Sequence, residues 1–293
     1  MPVARVLDYV DHAEALGYEI LAAHDHVAHP RPWLDGPTML AAVLPRLRHM
    51  VPMTAVVLPV VRGPMALARG LTALDLLSGG RLIAGVGAGS SEADYLAAAI
   101  PYAQRWERFD ESLSFLRAVW SEADEPFKGR FYSSDGAVLD PGPAQKGGPR
   151  LWIGAWGSDA GLRRTARSGD GWIASAYNTT PERFGDAWSR LGSHLVRVGR
   201  DPTQFPNALA TMALYVSEDR PTADRLIDDV LAPILHRAPE ELRQSILIGP
   251  AEACVDVLRA YRDAGVQRVL LMPVMDEFRQ IELFRKCVVP LVE

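Results

Sequence analysis

The sequence predicts an α/β fold of the (β/α)8 TIM-barrel type, and three observations predict it. Short apolar runs alternate with amphipathic helical stretches along the whole chain. The runs are apolar on consecutive residues, as strands covered on both faces are. The 293 residues show no change of composition that would mark a second domain, and barrels of this type run to roughly 250 residues or more. The expectation is a single domain over residues 1–293.

The chain opens on a helix, with Val6, Val10, Ala13 and Leu16 at helical spacing and Gly17 closing it. Strands are expected at Ile20–Ala23, Met53–Leu58 and Leu82–Gly87. Between the last two, Leu67, Leu71, Leu74 and Leu77 form a helical stripe that stops at Ser78-Gly79-Gly80. Trp106, Phe109, Leu113, Leu116 and Trp120 step by three and four along a long helix. The Gly-, Pro- and aromatic-rich stretch from Phe127 to Pro143 breaks the rhythm, and an insertion near 124–148 is expected there. Strands resume at Leu151–Gly154, Gly171–Ala174, Ala208–Val216 and Arg268–Met272. Ser158 and Thr180, the latter before Pro181, are N-caps for the helices between them. The strand count is seven where a complete barrel has eight, so the first strand is expected to be missing from this chain.

Composition narrows the partners. A net charge of −5 gives no electrostatic reason to expect nucleic acid or an anionic membrane. No run approaches the roughly 18 apolar residues that cross a bilayer, and the N-terminus lacks the apolar core of a signal peptide. Cys254 and Cys287 have no CxxC partner and fit a reducing compartment. A cytoplasmic protein with a small-molecule substrate is expected.

In such a barrel, chemistry sits on the loops after the strands. Four are loaded here: His24-Asp25-His26 with His29, Arg31 and Trp33 following; Ala55-Val56 with Pro59 and Arg62; Gly85 to Ser90; and Ala155-Trp156-Gly157-Ser158. His24-Asp25-His26 also has the HxH form of a metal-dependent barrel hydrolase, which needs further ligands at later strand ends. His49, His194 and His236 fall in expected helices or loops, so no metal site is assigned. Gly85 to Gly89 starts like a dinucleotide fingerprint, but Ser90 stands in place of its third glycine.

The run from Leu74 to Leu82 into Gly85-Val86-Gly87-Ala88-Gly89 resembles a signature of the luciferase-like monooxygenase superfamily. So do Arg108 to Leu113, Pro149 to Gly154 with Leu162 to Arg167, and Gly169 to Trp172. The likeness is greatest to the branch that uses coenzyme F420, an 8-hydroxy-5-deazaflavin, with users of flavin mononucleotide (FMN) nearby. It implies an oxidoreductase that transfers a hydride between F420 and a small organic substrate. An FMN-dependent monooxygenase is the alternative; a metal-dependent hydrolase and a non-catalytic cofactor-binding homologue stand behind it. By the same likeness His26 and Asp25 are the catalytic residues, and a non-proline cis peptide is expected at Ala55-Val56. Ala55, Val56, Gly87, Ala88 and Gly89 are expected at the cofactor ring. Ala155, Trp156, Gly157 and Ser158 are also expected to bind the cofactor, and Gly157-Ser158-Asp159 opens a helix whose free N–H groups suit its phosphate. Trp33 and Arg62 are candidates for the substrate pocket. Relatives often carry Glu after the glycine loop where this chain reads Ser90-Ser91-Glu92, so the acidic partner stays open. A homodimer is implied, with the apolar helical faces around Leu67 to Leu77 as interface candidates.

Overall fold

The computed structural model describes residues 3–28, 34–121, 125–137 and 139–292. The chain divides into two compact units, one of Glu19–Gly154 with Ser168–Gly171, the other of Met1–Tyr18, Ala155–Arg167 and Trp172–Glu293.

The first unit is built on four parallel strands in chain order: β1 (Ile20–Ala23), β2 (Val51–Val57), β3 (Ile83–Val86) and β4 (Arg150–Gly154). Ile20 lies opposite Val51, Met53 opposite Ile83, and Ile83 opposite Arg150. The register of β2 against β3 shifts between Thr54 and Val57, and within that shift the Ala55–Val56 peptide is cis, as expected. Met53, Thr54, Ala55 and Val57 are buried, which explains why β2 reads as continuous apolar sequence. The helix Pro64–Leu77 buries Leu67, Leu71 and Leu74, but Leu77 is exposed. The helix Arg105–Trp120 buries Phe109, Leu113, Leu116 and Trp120, and the first residue of the expected stripe, Trp106, is exposed. Trp120 Nε1 donates to Thr72 Oγ1 at 3.0 Å and joins the two helices.

The signature residues of this unit are fasteners. Asp75 is fully buried and accepts from the Gln145 backbone N–H at 2.8 Å and from Gln145 Nε2 at 2.6 Å. Arg81 donates to the carbonyls of Leu47, Met50 and Ser78 at 2.7–3.0 Å. The stretch between the helix Arg105–Trp120 and β4 carries one isolated bridge, Lys128 to Ser133, among its described residues. Glu111 fixes it by accepting from the N–H groups of Phe131 and Tyr132 at 2.7 and 2.8 Å. Asp170 accepts from the Leu151 N–H at 2.8 Å and from Arg117 at 2.6 Å.

In the second unit β5 (Gly171–Ser175), β6 (Asn207–Val216), β7 (Leu247–Gly249) and β8 (Val269–Pro273) are parallel. The ten-residue β6 organises them: Asn207–Ala210 pair with β5, Leu209–Leu214 with β8, and Leu214–Val216 with β7. The described residues thus hold eight strands where the sequence suggests seven. The additional one, β7, is three residues long, too short to carry a periodicity. The helix Pro181–Arg197 opens as expected, with Thr180 Oγ1 accepting from the Arg183 N–H. Its buried face carries Phe184, Ala187, Leu191 and Leu195, and Phe184 stacks on Trp172 at 4.8 Å between ring centroids. Cys254 lies in this core, where burial pushes its thiol up to about 12, consistent with an inert packing residue. No helix among the described residues is long and apolar enough to cross a membrane.

Two stability measurements follow from this packing. Asp75→Ala removes the acceptor of the half-buried Gln145 N–H and one of the two acceptors of its side-chain amide, and should cost about 1–2 kcal/mol in urea denaturation at pH 7. His24, at the end of β1, is pushed from 6.5 down to about 4 by burial and, secondarily, by the neighbouring His26. The unfolded chain therefore takes up this proton first as pH falls. The stabilising contribution is full above about 6.5 and is lost progressively towards about 4. His24→Asn should flatten that part of a stability–pH profile by roughly 1–3 kcal/mol, and an unchanged slope would reject the assignment.

Candidate functional site

The end of β1 in the first unit gathers the sequence-selected residues, and two carboxylates order it. Asp25 is buried and holds Arg62 through two contacts, Nε to Oδ2 at 2.7 Å and Nη2 to Oδ1 at 2.6 Å. It also accepts from the Leu58 N–H at 3.3 Å. Arg62 reaches further to Asp35, which caps the helix Gly36–Val43 by accepting from the Thr38 N–H. Asp35 sits below the ordinary carboxylate value: burial works against this, and the hydrogen bonds from Thr38 and Arg62 outweigh it. At Gly36 a Cβ would fall 2.3 Å from the His24 carbonyl oxygen, so only glycine lets that helix start against β1.

The second carboxylate is Asp94, in the helix Glu92–Ala97 that follows the glycine loop. It is buried, and its Oδ2 lies 2.9 Å from His26 Nδ1. Its Oδ1 accepts from the N–H groups of Val27 and Ala28 at 2.8 and 2.7 Å. An ionised carboxylate only accepts, so Nδ1 of His26 carries the hydrogen and Nε2 is the nitrogen whose protonation can change. The His26 side chain is 30% exposed, enough for a solute to reach it.

In the same unit the strand ends are low in side chains. Val56 is the half-exposed residue between buried Ala55 and buried Val57. A Cβ at Gly87 would fall 2.6 Å from its Cγ2, and one at Gly154 would fall 2.9 Å from its Cγ1. Val56 therefore rests directly on the backbone at the ends of β3 and β4. Ala88 is buried, its carbonyl accepting from the Tyr95 hydroxyl, and Gly89 has φ +78° with Leu58 against it. Of these residues Val56 and Gly89 are half-exposed, while Ala55, Gly87 and Ala88 are buried, so the strand ends are closely packed and apolar.

In the second unit, Ser158 caps the helix Asp159–Ser168 by accepting from the Gly161 N–H at 3.2 Å. Gly157 takes φ +87°, and its carbonyl accepts from Arg190 at 2.9 Å. The Ala155 carbonyl accepts from Trp172 Nε1, and Trp156 is exposed. Asp159 pairs with His194 and Arg163. Trp33, His29 and Arg31 lie outside the described residues.

Sequence reasoning selected Asp25 and Arg62 as a catalytic residue and a pocket residue; the structure joins them to each other. It missed Asp94 as the carboxylate holding His26. The signal was present in Ser91-Glu92-Ala93-Asp94, where a cap-type serine opens a helix with acidic residues in its first turn. Which of the two acids turns back toward β1 is set by the pitch of a six-residue helix. Among the described residues, no group of three or more His, Cys, Asp or Glu is placed to hold a metal ion.

The sequence model of the luciferase-like monooxygenase family matches residues 1–241. An uncharacterized protein of Mycobacterium tuberculosis is 32% identical over 200 residues, covering 66% of this chain and 70% of its own length. The F420-dependent hydroxymycolic acid dehydrogenase of the same organism is 26% identical over 312 residues, covering 98% and 84%. Among solved structures, a monooxygenase from Streptomyces bottropensis is 25% identical with a TM-score of 0.85, covering 98% of this chain and 93% of its own. An F420-dependent secondary alcohol dehydrogenase, solved with an F420–acetone adduct, shares the fold at 18% identity, with a TM-score of 0.86 and coverage of 100% and 96%. With its parallel strands, alternating helices and glycine loop, the chain belongs to the luciferase-like monooxygenase family and has that family's α/β barrel fold.

Proposed function

We propose that this chain is an oxidoreductase that transfers a hydride between coenzyme F420 and a small organic substrate, with His26 as the proton carrier. The observation that supports it most is the His26–Asp94 pair, held at the end of β1 by a carboxylate from the helix that follows the glycine loop. Bound F420 would supply a two-electron hydride donor or acceptor. The chain's own residues supply the rest. Asp94 keeps hydrogen on Nδ1 and stabilises the imidazolium, so that Nε2 can give a proton to a substrate oxygen or take one from it. Asp25 and Arg62 act one step removed, by holding the backbone that precedes His26 and the helix start at Asp35. Ala155, Trp156, Gly157 and Ser158 are proposed for the cofactor phosphate on local grounds, since Gly157 and the capped helix start present backbone N–H groups.

F420 is preferred over FMN because a relative covering 98% of this chain is an F420-dependent dehydrogenase. The likeness to a Streptomyces monooxygenase supports an oxygenation reaction, with FMN as the cofactor proposed for it, as the second reading. A cytoplasmic homodimer completes the proposal: the two cysteines are unpaired, and Leu76 and Leu77 stand exposed at the end of the helix Pro64–Leu77.

Titration with oxidised F420 and separately with FMN, followed by ligand fluorescence, tests the reading. Saturable F420 binding at least tenfold tighter than FMN is expected. Gly87→Leu, which drives a side chain into the place of Val56, should weaken it at least tenfold. Tighter FMN binding would select the monooxygenase reading, and binding of neither would reject both.

A further inference from the structure

We infer that Ser175 and Thr211, in the second unit, form a recognition site for a hydrogen-bond donor, a hydroxyl or N–H, on a small molecule bound at that unit. Ser175 is the last residue of β5, and Thr211 follows Ala210, the last residue of β6 paired with that strand. They are the half-exposed positions of otherwise buried strand segments: Gly171–Ala174 are buried before Ser175, and Asn207–Ala210 and Met212–Leu214 are buried around Thr211.

Hydrogen bonds fix the direction of every donor here. Asn178 Nδ2 donates to Ser175 Oγ at 3.0 Å, and its Oδ1 accepts from Arg237, so the amide orientation is set. Thr211 Oγ1 donates its one hydrogen to the Ala210 carbonyl at 2.7 Å. Across the 2.7 Å contact between the two hydroxyls, Ser175 must then be the donor. Both hydrogens are spent within the chain Arg237–Asn178–Ser175–Thr211–Ala210. Each hydroxyl oxygen keeps one lone pair, and those lone pairs can only accept. A ligand hydroxyl or N–H fits them; an ether or ketone oxygen does not.

The backbone supports a functional reading. Thr211 has φ +54°, a left-handed conformation that a β-branched residue rarely adopts, inside a strand. The β6–β8 register shifts between Leu209 and Met212 around it. Glycine would suit that conformation better, so threonine is retained against the backbone's preference. The hydroxyl is what glycine lacks.

The inference does not depend on the oxidoreductase reading, and its test needs no cofactor and no turnover. Cyclohexanol and methoxycyclohexane, which differ in the donor, are compared as ligand-observed NMR probes on the wild-type chain, Ser175→Ala and Thr211→Val. The wild type should favour the alcohol about tenfold, and each variant should bring the ratio near one. Thr211→Gly should also lose the preference while its Tm stays level or rises by about 2 °C, since a strained position is relieved. Equal binding of the two probes to the wild type, no binding of either, or a preference that survives in the variants would overturn the inference. A lower Tm for Thr211→Gly would overturn it too, by showing that the hydroxyl serves the strand rather than a ligand.

Discussion

A buried carboxylate is the constraint on which the site depends. Asp94 is removed from water, and an ionised group there is tolerated only when hydrogen bonds replace its hydration. Three donors do so: the N–H groups of Val27 and Ala28 and the ring of His26. Meeting that need fixes the course of the chain after β1, the orientation of the imidazole and its tautomer together. The helix Glu92–Ala97 and the end of β1 are separated by nearly 70 residues of sequence, yet neither is set without the other.

The same device recurs through the first unit. Asp75 takes the N–H of Gln145, Glu111 those of Phe131 and Tyr132, and Asp170 that of Leu151. Asp75 and Glu111 satisfy backbone groups of an irregular segment that no ladder reaches, and Asp170 does the same at the start of β4. The family signature residues are therefore mostly about where loops go. Glycines add the complementary condition. A Cβ at Gly36, Gly87, Gly148 or Gly171 would meet a carbonyl, Val56, the Trp120 ring or the Trp152 ring at 2.3–2.6 Å. Close approach is what these glycines permit.

Much of this was legible in the sequence. Apolar runs of four to nine residues located seven strands to within two residues, since a doubly covered strand cannot hide its composition, and the caps at Ser158 and Thr180 follow from local chemistry. The site was legible as segments: His24-Asp25-His26, the glycine loop and Ala55-Val56 were all selected. What pairs with what was not. Asp25 stands next to His26 in sequence, yet in the loop after β1 the two side chains find different partners. Asp25 meets Arg62, while the carboxylate for His26 comes from a short helix whose pitch no periodicity reveals. Thr211 was hidden for a related reason: a threonine within an apolar strand reads as ordinary, and only its φ marks it out. β7 was missed because three residues carry no pattern.

The central claim is that Asp94 sets the protonation state and orientation of His26. Long-range 1H–15N NMR of the imidazole ring at pH 8 measures this directly in the wild type and in Asp94→Asn. The account predicts hydrogen on Nδ1 in the wild type, and a shift towards the Nε2–H tautomer in the variant. A wild-type ring protonated on Nε2 alone, or a tautomer unchanged by the substitution, would contradict it.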